Sequence, residues 1–294
     1  MIPSTVEEVQ AAFGEHHYVA DRSLAVVVHL ALQMGRPLFL EGEAGVGKTE
    51  VAKVLSAMLG EGLIRLQCYE GLDVSQALYE WDYARQMLAI RLLEAQHAEG
   101  HAGVGDIMSR EYLVARPLLQ AIERASLGER PVLLIDELDR ADEEFEAYLL
   151  ELLSDFQVTI PEVATIKAIE PPVVVITSNR TREIHDALKR RCLYHWIDYP
   201  SYEREMAILR EKAPEITEGL ARQLAKAMQH LRGLDLFKPP GVAETLDWAA
   251  ALQVLGETEL SPAVIDDTLG VVLKYEEDVA RIRGGGAGRI LESA

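Results

Sequence analysis

The sequence predicts an α/β fold in which a parallel sheet, covered by helices on both faces, is followed by a smaller all-helical domain. Two observations lead to this prediction. Between residue 37 and about residue 198, short apolar runs rich in β-branched residues alternate with amphipathic helical stretches, as they do in parallel sheets. From Tyr202 to about Arg283 the pattern is helical almost throughout. Pro200 disfavours helix at Tyr199, so this dipeptide is the predicted hinge.

The domain boundaries follow from the same patterns. We predict an α/β core over residues 1–198 and a helical domain over residues 199–283. The tail, residues 284–294, begins with a run of glycines and is predicted to be flexible. Two short helices are expected before the first strand, the second from about Arg22 to Met34.

Charge and cysteine content narrow the class of protein. Asp and Glu number 48 against 29 Lys and Arg, and the formal net charge of −19 disfavours a protein that binds nucleic acid by neutralising phosphates. The two cysteines, Cys68 and Cys192, lie far apart, which suits a reducing compartment and argues against a disulfide scaffold or a structural zinc. The N-terminus lacks a signal-peptide pattern, and the apolar runs are shorter than a membrane span. We therefore expect a cytoplasmic protein without a transmembrane segment.

The stretch "FLEGEAGVGKTEVAK" predicts a phosphate-binding loop. It fits G-x-x-x-x-G-K-[ST], and it follows an apolar strand-like run and precedes apolar residues at helical spacing. In that arrangement the free N–H groups and the positive dipole end of a helix point at the phosphates. Lys48 is expected to neutralise the β- and γ-phosphates of ATP, and the Thr49 hydroxyl to bind Mg²⁺. The predicted nucleotide-binding residues are Gly42, Glu43, Ala44, Gly45, Val46, Gly47, Lys48, Thr49 and Glu50.

A second acidic group is supplied by "PVLLIDELDRAD". Four apolar residues run into Asp136 and Glu137, and a buried parallel strand would deliver both carboxylates at its C-terminal end, where ligands bind in open α/β sheets. Asp136 is expected to support Mg²⁺, and Glu137 to polarise the attacking water as a general base. The adjacent acidic pair, and the lack of an N-K-x-D segment, argue against a GTPase.

Two later stretches complete the predicted site. "PPVVVITSNRT" ends in Asn179, whose amide is expected to hydrogen-bond the γ-phosphate or the attacking water. In "ALKRRC", Arg190 or Arg191 would stabilise charge on the γ-phosphoryl group as an arginine finger. The nucleotide bound by the same chain would be too far away, so the finger would serve a neighbouring subunit, and this predicts a ring. A solvated basic helix end is the alternative.

The order of these motifs resembles that of the AAA+ ATPases over about residues 15–280, and within them the match is closest to the MoxR family. "IDELDRADEEFEAYLLELLSDFQVTI" is similar to the MoxR acidic motif, helix and pre-sensor hairpin, here about residues 157–169. "TSNRTREIHDALKRRCLYHWIDYP" looks like the CoxD-type subgroup. The resemblance implies a ring, expected to be a hexamer, of Mg²⁺-ATP-dependent remodelling ATPases. It also implies a partner with a von Willebrand factor A domain and a client metalloenzyme of the CO dehydrogenase-like molybdenum hydroxylase class.

The resemblance also implies roles for single residues. Asn179 would be sensor 1, Arg191 the first candidate for the finger and Arg190 the second, and Tyr18 and Val19 would lie near the adenine. One departure concerns sensor 2. Many relatives carry an arginine at the start of a lid helix, whereas "LFKPPGVAETLDW" contains none. Either Lys238 substitutes for this arginine, or γ-phosphate sensing through the lid is weak.

The long separation between the loop and the acidic pair predicts an insert at about residues 75–112, which in the family faces the ring pore. Core packing and contact with a polypeptide both remain open for its aromatic residues, which are Tyr69, Tyr79, Trp81 and Tyr83. "EGHAGVGD" is predicted to be a loop, and a metal site at His97 and His101 is disfavoured because no further ligand completes a tetrahedral set.

Three rival functions remain at this point. The first is a nucleotide-gated binding scaffold without vigorous turnover, which the missing sensor 2 arginine favours. The second is a P-loop kinase of small molecules, against which the acidic pair and the helical C-terminal third argue. The third is a nucleic-acid motor, which the net charge of −19 disfavours.

Overall fold

The computed structural model describes residues 3–95, 107–161, 163–283 and 286–293. The chain forms two compact units. Unit 1 comprises Met1–Val6, Val26–Glu41 and Ala52–His195, and unit 2 comprises Glu7–Ala25, Gly42–Val51 and Trp196–Ala294. The phosphate-loop segment therefore groups with the C-terminal helices, although it is separated from them in the sequence by most of unit 1.

Unit 1 contains most of a five-stranded sheet with the strand order β2-β5-β8-β1-β9, and only the strand-end residues Gly42, Trp196 and Ile197 belong to unit 2. The strands are β1 (Leu38–Gly42), β2 (Leu63–Gln67), β5 (Val132–Asp136), β8 (Val173–Ser178) and β9 (Leu193–Ile197). The first four of the order pair in parallel, and β5 and β8 are buried along their whole length, which explains their continuous apolar sequences. The predicted α/β class with a parallel sheet is confirmed.

Helices and two small antiparallel pairs complete the architecture. The helices up to residue 191 are α1 (Val6–Glu15), α2 (Arg22–Met34), α3 (Lys48–Leu59), α4 (Val74–Leu78), α5 (Tyr83–Ala95), α6 (Pro117–Ser126), α7 (Glu143–Asp155) and α8 (Asp186–Arg191). The small pairs are β3 (Tyr79–Trp81) with β4 (Leu113–Ala115), and β6 (Gln157–Ile160) with β7 (Ala164–Lys167). One apolar core joins the sheet to α6 and α7, and Phe39, Leu133 and Phe145 are almost fully buried in it.

The aromatic residues in and just before the insert lie in two different environments. Tyr79 and Trp81 pack against the core of unit 1, with their ring centroids 6.1 Å apart in an edge-on arrangement. Tyr69 and Tyr83 are 44% and 68% exposed. Packing therefore accounts for the first two, and only the other two are available to a partner. The predicted glycine loop, and with it His97 and His101, lies outside the described residues.

Unit 2 has its own helical core. Its C-terminal helices are α9 (Tyr202–Lys212), α10 (Glu218–Arg232), α11 (Val242–Leu255), α12 (Pro262–Val272), α13 (Glu276–Ile282) and α14 (Gly286–Ser293). Trp248 is fully buried in this core and donates from Nε1 to the Thr268 hydroxyl at 2.8 Å. Arg232 and Glu205 form a buried ion pair at 2.6 Å, and the Thr245 hydroxyl also donates to Glu205, so the buried charge is fully hydrogen-bonded.

The prediction of a flexible tail is wrong for the described part of that segment. Gly286–Ser293 form α14, and Ala287 and Ile290 are 3% and 0% exposed in the core of unit 2. Apolar residues three apart lie on one face of a helix, and burial of that face outweighs the conformational freedom of the glycines. None of the helices within the described ranges is long and apolar enough to cross a membrane.

Candidate functional site

The predicted phosphate loop in unit 2 has a shape that requires its glycines. Gly45 and Gly47 adopt φ values of +79° and +95°, which side chains disfavour. A Cβ atom on Gly42 would lie 2.2 Å from the backbone oxygen of Ile197. Lys48, the first residue of α3, donates from Nζ to the backbone oxygens of Gly42 and Glu43 at 2.7 and 2.6 Å. The ammonium group is thus held inside the curve of its own loop.

The N-terminus of α11 contacts this loop within unit 2. The amide of Ala243 donates to the backbone oxygen of Gly45 at 3.1 Å, and a Cβ atom on Gly241 would lie 2.8 Å from the backbone oxygen of Ala44. The helix, Val242–Leu255, contains neither lysine nor arginine. The backbone amide of Lys238, in the preceding segment, donates to Asp278 at 3.2 Å. The helix that touches the loop therefore brings no cation to it.

Tyr18 and Val19, the predicted adenine neighbours, line a cleft of about 390 Å³ in unit 2. Its other lining residues are Gln10, Ala11, Gly14, Ala20 and Glu211. Tyr18 is 9% exposed, and its ring lies 3.7 Å from the place that a Cβ atom on Gly47 would occupy. Burial raises the pKa of Tyr18 to about 12, and the positive charge of Arg204 opposes this effect. The Tyr18 hydroxyl accordingly stays protonated at neutral pH, and it has no hydrogen-bond partner among the described residues.

The acidic pair lies at the C-terminal end of β5 in unit 1, as predicted. Asp136 is 2% exposed and accepts hydrogen bonds on both carboxylate oxygens. Its Oδ1 accepts from the Thr177 hydroxyl at 2.6 Å, and its Oδ2 accepts from Arg65 Nη2 and Nε at 2.6 and 3.1 Å. The Thr177 hydroxyl in turn accepts from the backbone amide of Glu137 at 2.9 Å. One threonine thereby fixes both members of the pair.

Glu137 adopts a left-handed backbone conformation, with φ of +56° and ψ of +51°. Its Oε2 accepts from Gln67 Nε2 at 3.0 Å and from Arg140 Nη1 at 3.2 Å. Sequence reasoning missed Arg65, Gln67 and Thr177. The available signal was weak, because the pairing of Gln67 with Asp136 depends on the strand order, in which β2 is the neighbour of β5.

The loop after β8 is fixed to the segment that follows the acidic pair. Asp139, which is 3% exposed, accepts from the backbone amides of Asn179 and Thr181 at 3.1 and 2.9 Å and from the Thr181 hydroxyl at 2.7 Å. Asn179 is half-buried at the end of the strand next to β5. Unit 1 therefore brings Asn179 and the acidic pair together at one edge of the sheet.

The predicted finger residues end α8, also in unit 1. Arg190 and Arg191 are both exposed, and neither forms an ion pair with another residue of the described ranges. The guanidinium of Arg36 donates to the backbone oxygens of Arg190, Arg191 and Cys192 at 2.7, 3.1 and 3.3 Å. These hydrogen bonds fix the backbone of Arg190 and Arg191 at the end of α8, while both side chains are exposed to solvent.

The oxygen ligands in this chain fit Mg²⁺ better than a softer metal. The candidates are the Thr49 hydroxyl and the Asp136 carboxylate, both hard donors of the kind that Mg²⁺ takes together with water and phosphate oxygens. Across the described residues there is no group of three or more His, Cys, Asp or Glu side chains that could hold a metal ion. A metal ion would therefore need oxygen ligands from water or phosphate in addition to those that the described residues offer.

Comparison with known proteins places the chain in a family. The family described as "AAA domain (dynein-related subfamily)" matches residues 37–192, more than half of the sequence, and the chain belongs to it. No curated protein matches the chain.

Several solved structures are similar. A RuvB mutant of Thermotoga maritima has 17% identity and a TM-score of 0.49, with 95% of this chain and 76% of that chain covered. The Thermotoga maritima RuvB Holliday junction branch migration motor has 17% identity and a TM-score of 0.47, covering 92% and 72%. A candidate ATPase of Cytophaga hutchinsonii has 15% identity and a TM-score of 0.48, covering 98% and 94%. At these values the likenesses say nothing about the activity of this chain.

Proposed function

We propose that this member of the AAA domain family (dynein-related subfamily) is a Mg²⁺-dependent ATPase that hydrolyses ATP to ADP and phosphate. The observation that carries the proposal is the arrangement at the end of β5. A buried carboxylate, Asp136, lies next to a more exposed one, Glu137, and both are fixed by the hydroxyl of Thr177. Hydrolysis of ATP needs one group that supports a metal ion and another that activates water, and these two environments suit those two tasks.

The chain supplies a group for each part of the reaction. Lys48 would exchange its bonds to the loop carbonyls for bonds to the β- and γ-phosphates. Thr49 and Asp136 would each offer an oxygen ligand to Mg²⁺, which would neutralise the charge that develops on the phosphates. Glu137 would take a proton from the water whose oxygen attacks the γ-phosphorus. The bond between that phosphorus and the oxygen bridging to the β-phosphate then breaks, and ADP leaves with the electron pair. Asn179 would orient the water.

Glu137 must change partners before it can act as the base. In the structure its Oε2 atom accepts hydrogen bonds from Gln67 Nε2 and Arg140 Nη1, so two donors already occupy this oxygen. The side chain is 32% exposed, so a small rotation towards water is sterically open to it. Access of water to Glu137 is therefore a step that a bound partner or a neighbouring subunit can control.

We further propose that the ATPase works as a homo-oligomeric ring of about six subunits, in which Arg191, or else Arg190, reaches the nucleotide of a neighbour. The exposure of both side chains and the fixed end of α8 support this role. Remodelling of a client metalloenzyme of the CO dehydrogenase-like class, with a partner that carries a von Willebrand factor A domain, is the specific task that the MoxR-type motifs suggest. Nucleic acid has no part in this task.

The test is to measure the mass in solution and the ATP turnover of the wild type and of Glu137→Gln, each with Mg²⁺-ATP. We expect turnover by the wild type, and an inactive variant that is trapped as an oligomer and retains its clients during purification. A wild type and a variant that both stay monomeric would contradict the ring, because Arg191 would have no neighbour to serve. Transfer of the γ-phosphoryl group to a metabolite instead of to water would indicate a kinase.

A second candidate is a nucleotide-gated scaffold that binds ATP tightly and turns it over slowly. The specific observation in its favour is α11, which contacts the phosphate loop through Ala243 and carries no basic residue. Without a cation on that helix, hydrolysis would be coupled weakly to movement of the helices. Tight ATP binding with negligible turnover in the wild type would support this candidate over the motor.

A further inference from the structure

Glu244 lies at the end of α11 that contacts the phosphate loop, and both the helix and the loop belong to unit 2. Its Oε2 atom accepts a hydrogen bond from the backbone amide of Gly241 at 2.9 Å, and this bond is part of a capping box at the start of the helix. The side chain is half-buried. The capping bond therefore holds the carboxylate at the N-terminal end of α11.

The carboxylate is packed against the backbone of the phosphate loop. A Cβ atom on Gly45 would lie 3.0 Å from Glu244 Oε2. A Cβ atom on Gly241 would lie 3.0 Å from the same oxygen and 3.0 Å from the carbonyl carbon of Gly45. The amide of Ala243 donates to the backbone oxygen of Gly45 at 3.1 Å. The two glycines thus allow the helix end to approach the loop closely, with the carboxylate beside the loop at Gly45.

Glu244 changes the charge that α11 presents to the loop. The N-terminus of a helix is normally positive and attracts phosphates. Here a carboxylate is placed on that end, and the helix contains neither lysine nor arginine. Glu244 also forms no ion pair with any residue that the structure describes. The end of α11 beside Gly45 is therefore negative.

This negative charge adjoins the loop whose amides and Lys48 are expected to bind phosphates. The γ-phosphate makes ATP more negative than ADP, and like charges repel each other more strongly as the charge increases. The capping bond keeps the carboxylate with the helix end, so the repulsion is relieved by movement of the helix end or by weaker binding of the nucleotide. A basic residue at the same place would have the opposite effect.

We propose that Glu244 is a specificity-determining residue that weakens the binding of ATP relative to ADP, and that bound ATP in turn loosens the contact of α11 with the phosphate loop. The inference rests on the proposed ATPase function. The two effects are one coupling free energy, because a helix end that disfavours a ligand is itself displaced by that ligand to the same extent. ADP is thus bound with α11 against the loop, and its replacement by ATP moves the helix.

Glu244→Gln tests the charge alone, because glutamine keeps the length of the side chain and an oxygen that accepts from the Gly241 amide. In titrations with Mg²⁺ present, we expect its affinity for ATPγS to rise by about 10-fold and its affinity for ADP to rise less. Its melting temperature should stay near that of the wild type. Asp247→Asn is the matched control, because Asp247 is an exposed acid on the same helix, and its removal should leave the ratio of the two affinities unchanged.

Hydrogen exchange of the wild type is a second measurement, and it needs no variant. The Ala243 amide is protected by its bond to Gly45, so residues 241–246 should exchange faster with ATPγS bound than with ADP bound. In Glu244→Gln this difference between the two nucleotides should shrink, because the repulsion that moves the helix end is removed.

Two results would overturn the role of Glu244. One is a ratio of ATPγS to ADP affinity that Glu244→Gln leaves unchanged, or that Asp247→Asn raises equally. The other is equal exchange of residues 241–246 in the wild type with either nucleotide, which does not depend on the folding of a variant. A wild type that binds neither nucleotide would instead contradict the ATPase function itself.

Discussion

Arg36 donates from Nε to the backbone oxygen of Arg191 at 3.1 Å, and its Nη2 atom donates to the neighbouring backbone oxygen of Arg190 at 2.7 Å. Arg36, two residues after the end of α2, thereby satisfies the last carbonyl groups of α8, which a short helix leaves without partners. The proposed finger side chains are positioned by a third arginine that is 155 residues away in the sequence from Arg191.

This relationship predicts that Arg36→Met will reduce ATP turnover without weakening ATP binding. The α8 end loses three hydrogen bonds, and a misplaced finger costs transition-state stabilisation but not ground-state affinity. The measurement is kcat and KM for ATP hydrolysis, with kcat expected to fall and KM to stay unchanged. Arg22→Met is the control, because Arg22 is an exposed arginine that pairs with Glu7 and with no other residue that the structure describes. Equal kcat values in the two variants would contradict the positioning role.

The hydrogen bonds of the Thr177 hydroxyl predict an effect on stability and on the Mg²⁺ dependence of turnover. Thr177→Val keeps the shape of the side chain but removes the donor to Asp136 and the acceptor for the Glu137 amide, so two buried polar groups lose a partner. We expect the free energy of unfolding in urea to fall by about 1–3 kcal/mol and the Mg²⁺ concentration for half-maximal turnover to rise. Thr177→Ser retains the hydroxyl and should behave like the wild type. A Thr177→Val variant with unchanged Mg²⁺ dependence would argue against the role of Asp136 at the metal.

Tyr18 predicts a dependence of stability on pH. Burial raises the pKa of Tyr18 from 10.0 to about 12, so the folded state holds this proton more tightly than the unfolded state does. The associated stability is complete below pH 10 and is lost as the pH rises towards 12. Chemical unfolding of the wild type and of Tyr18→Phe between pH 9 and pH 12 is the measurement. The difference in unfolding free energy between them should shift in favour of Tyr18→Phe as the pH rises, and a constant difference would contradict the shifted pKa.

The C-terminal helix predicts a loss of stability on truncation of one side chain. Ile290 is fully buried in the core of unit 2, so Ile290→Ala should lower the free energy of unfolding by about 2–5 kcal/mol. Val254→Ala is the matched control, because Val254 is 87% exposed and its truncation leaves no cavity. Urea denaturation monitored by tryptophan fluorescence is the measurement, and the buried Trp248 contributes a signal from this core. A flexible tail, as the glycines predict, would give equal stabilities for the two variants.

The sequence by itself determined the features that are formed by residues close together in the chain. The spacing of Gly42, Gly47 and Lys48 predicts a phosphate loop, because these residues lie within one short turn of backbone. The apolar run before Asp136 and Glu137 sets a buried strand that ends in carboxylates, because burial of a parallel strand on both faces needs a continuous apolar sequence. The class of the fold followed from the alternation of such strands with helices.

Tertiary structure alone decided which distant groups complete the site. Arg65 meets Asp136, and Gln67 meets Glu137, across 71 and 70 residues of sequence, because β2 is the neighbour of β5 in the sheet. Strand order depends on how helices cover both faces, and no local pattern encodes it. The structure of the C-terminal tail was also decided by tertiary contacts. Its glycines favour a flexible chain locally, but Ile290 gains more from burial in the helical core than the segment loses in conformational entropy.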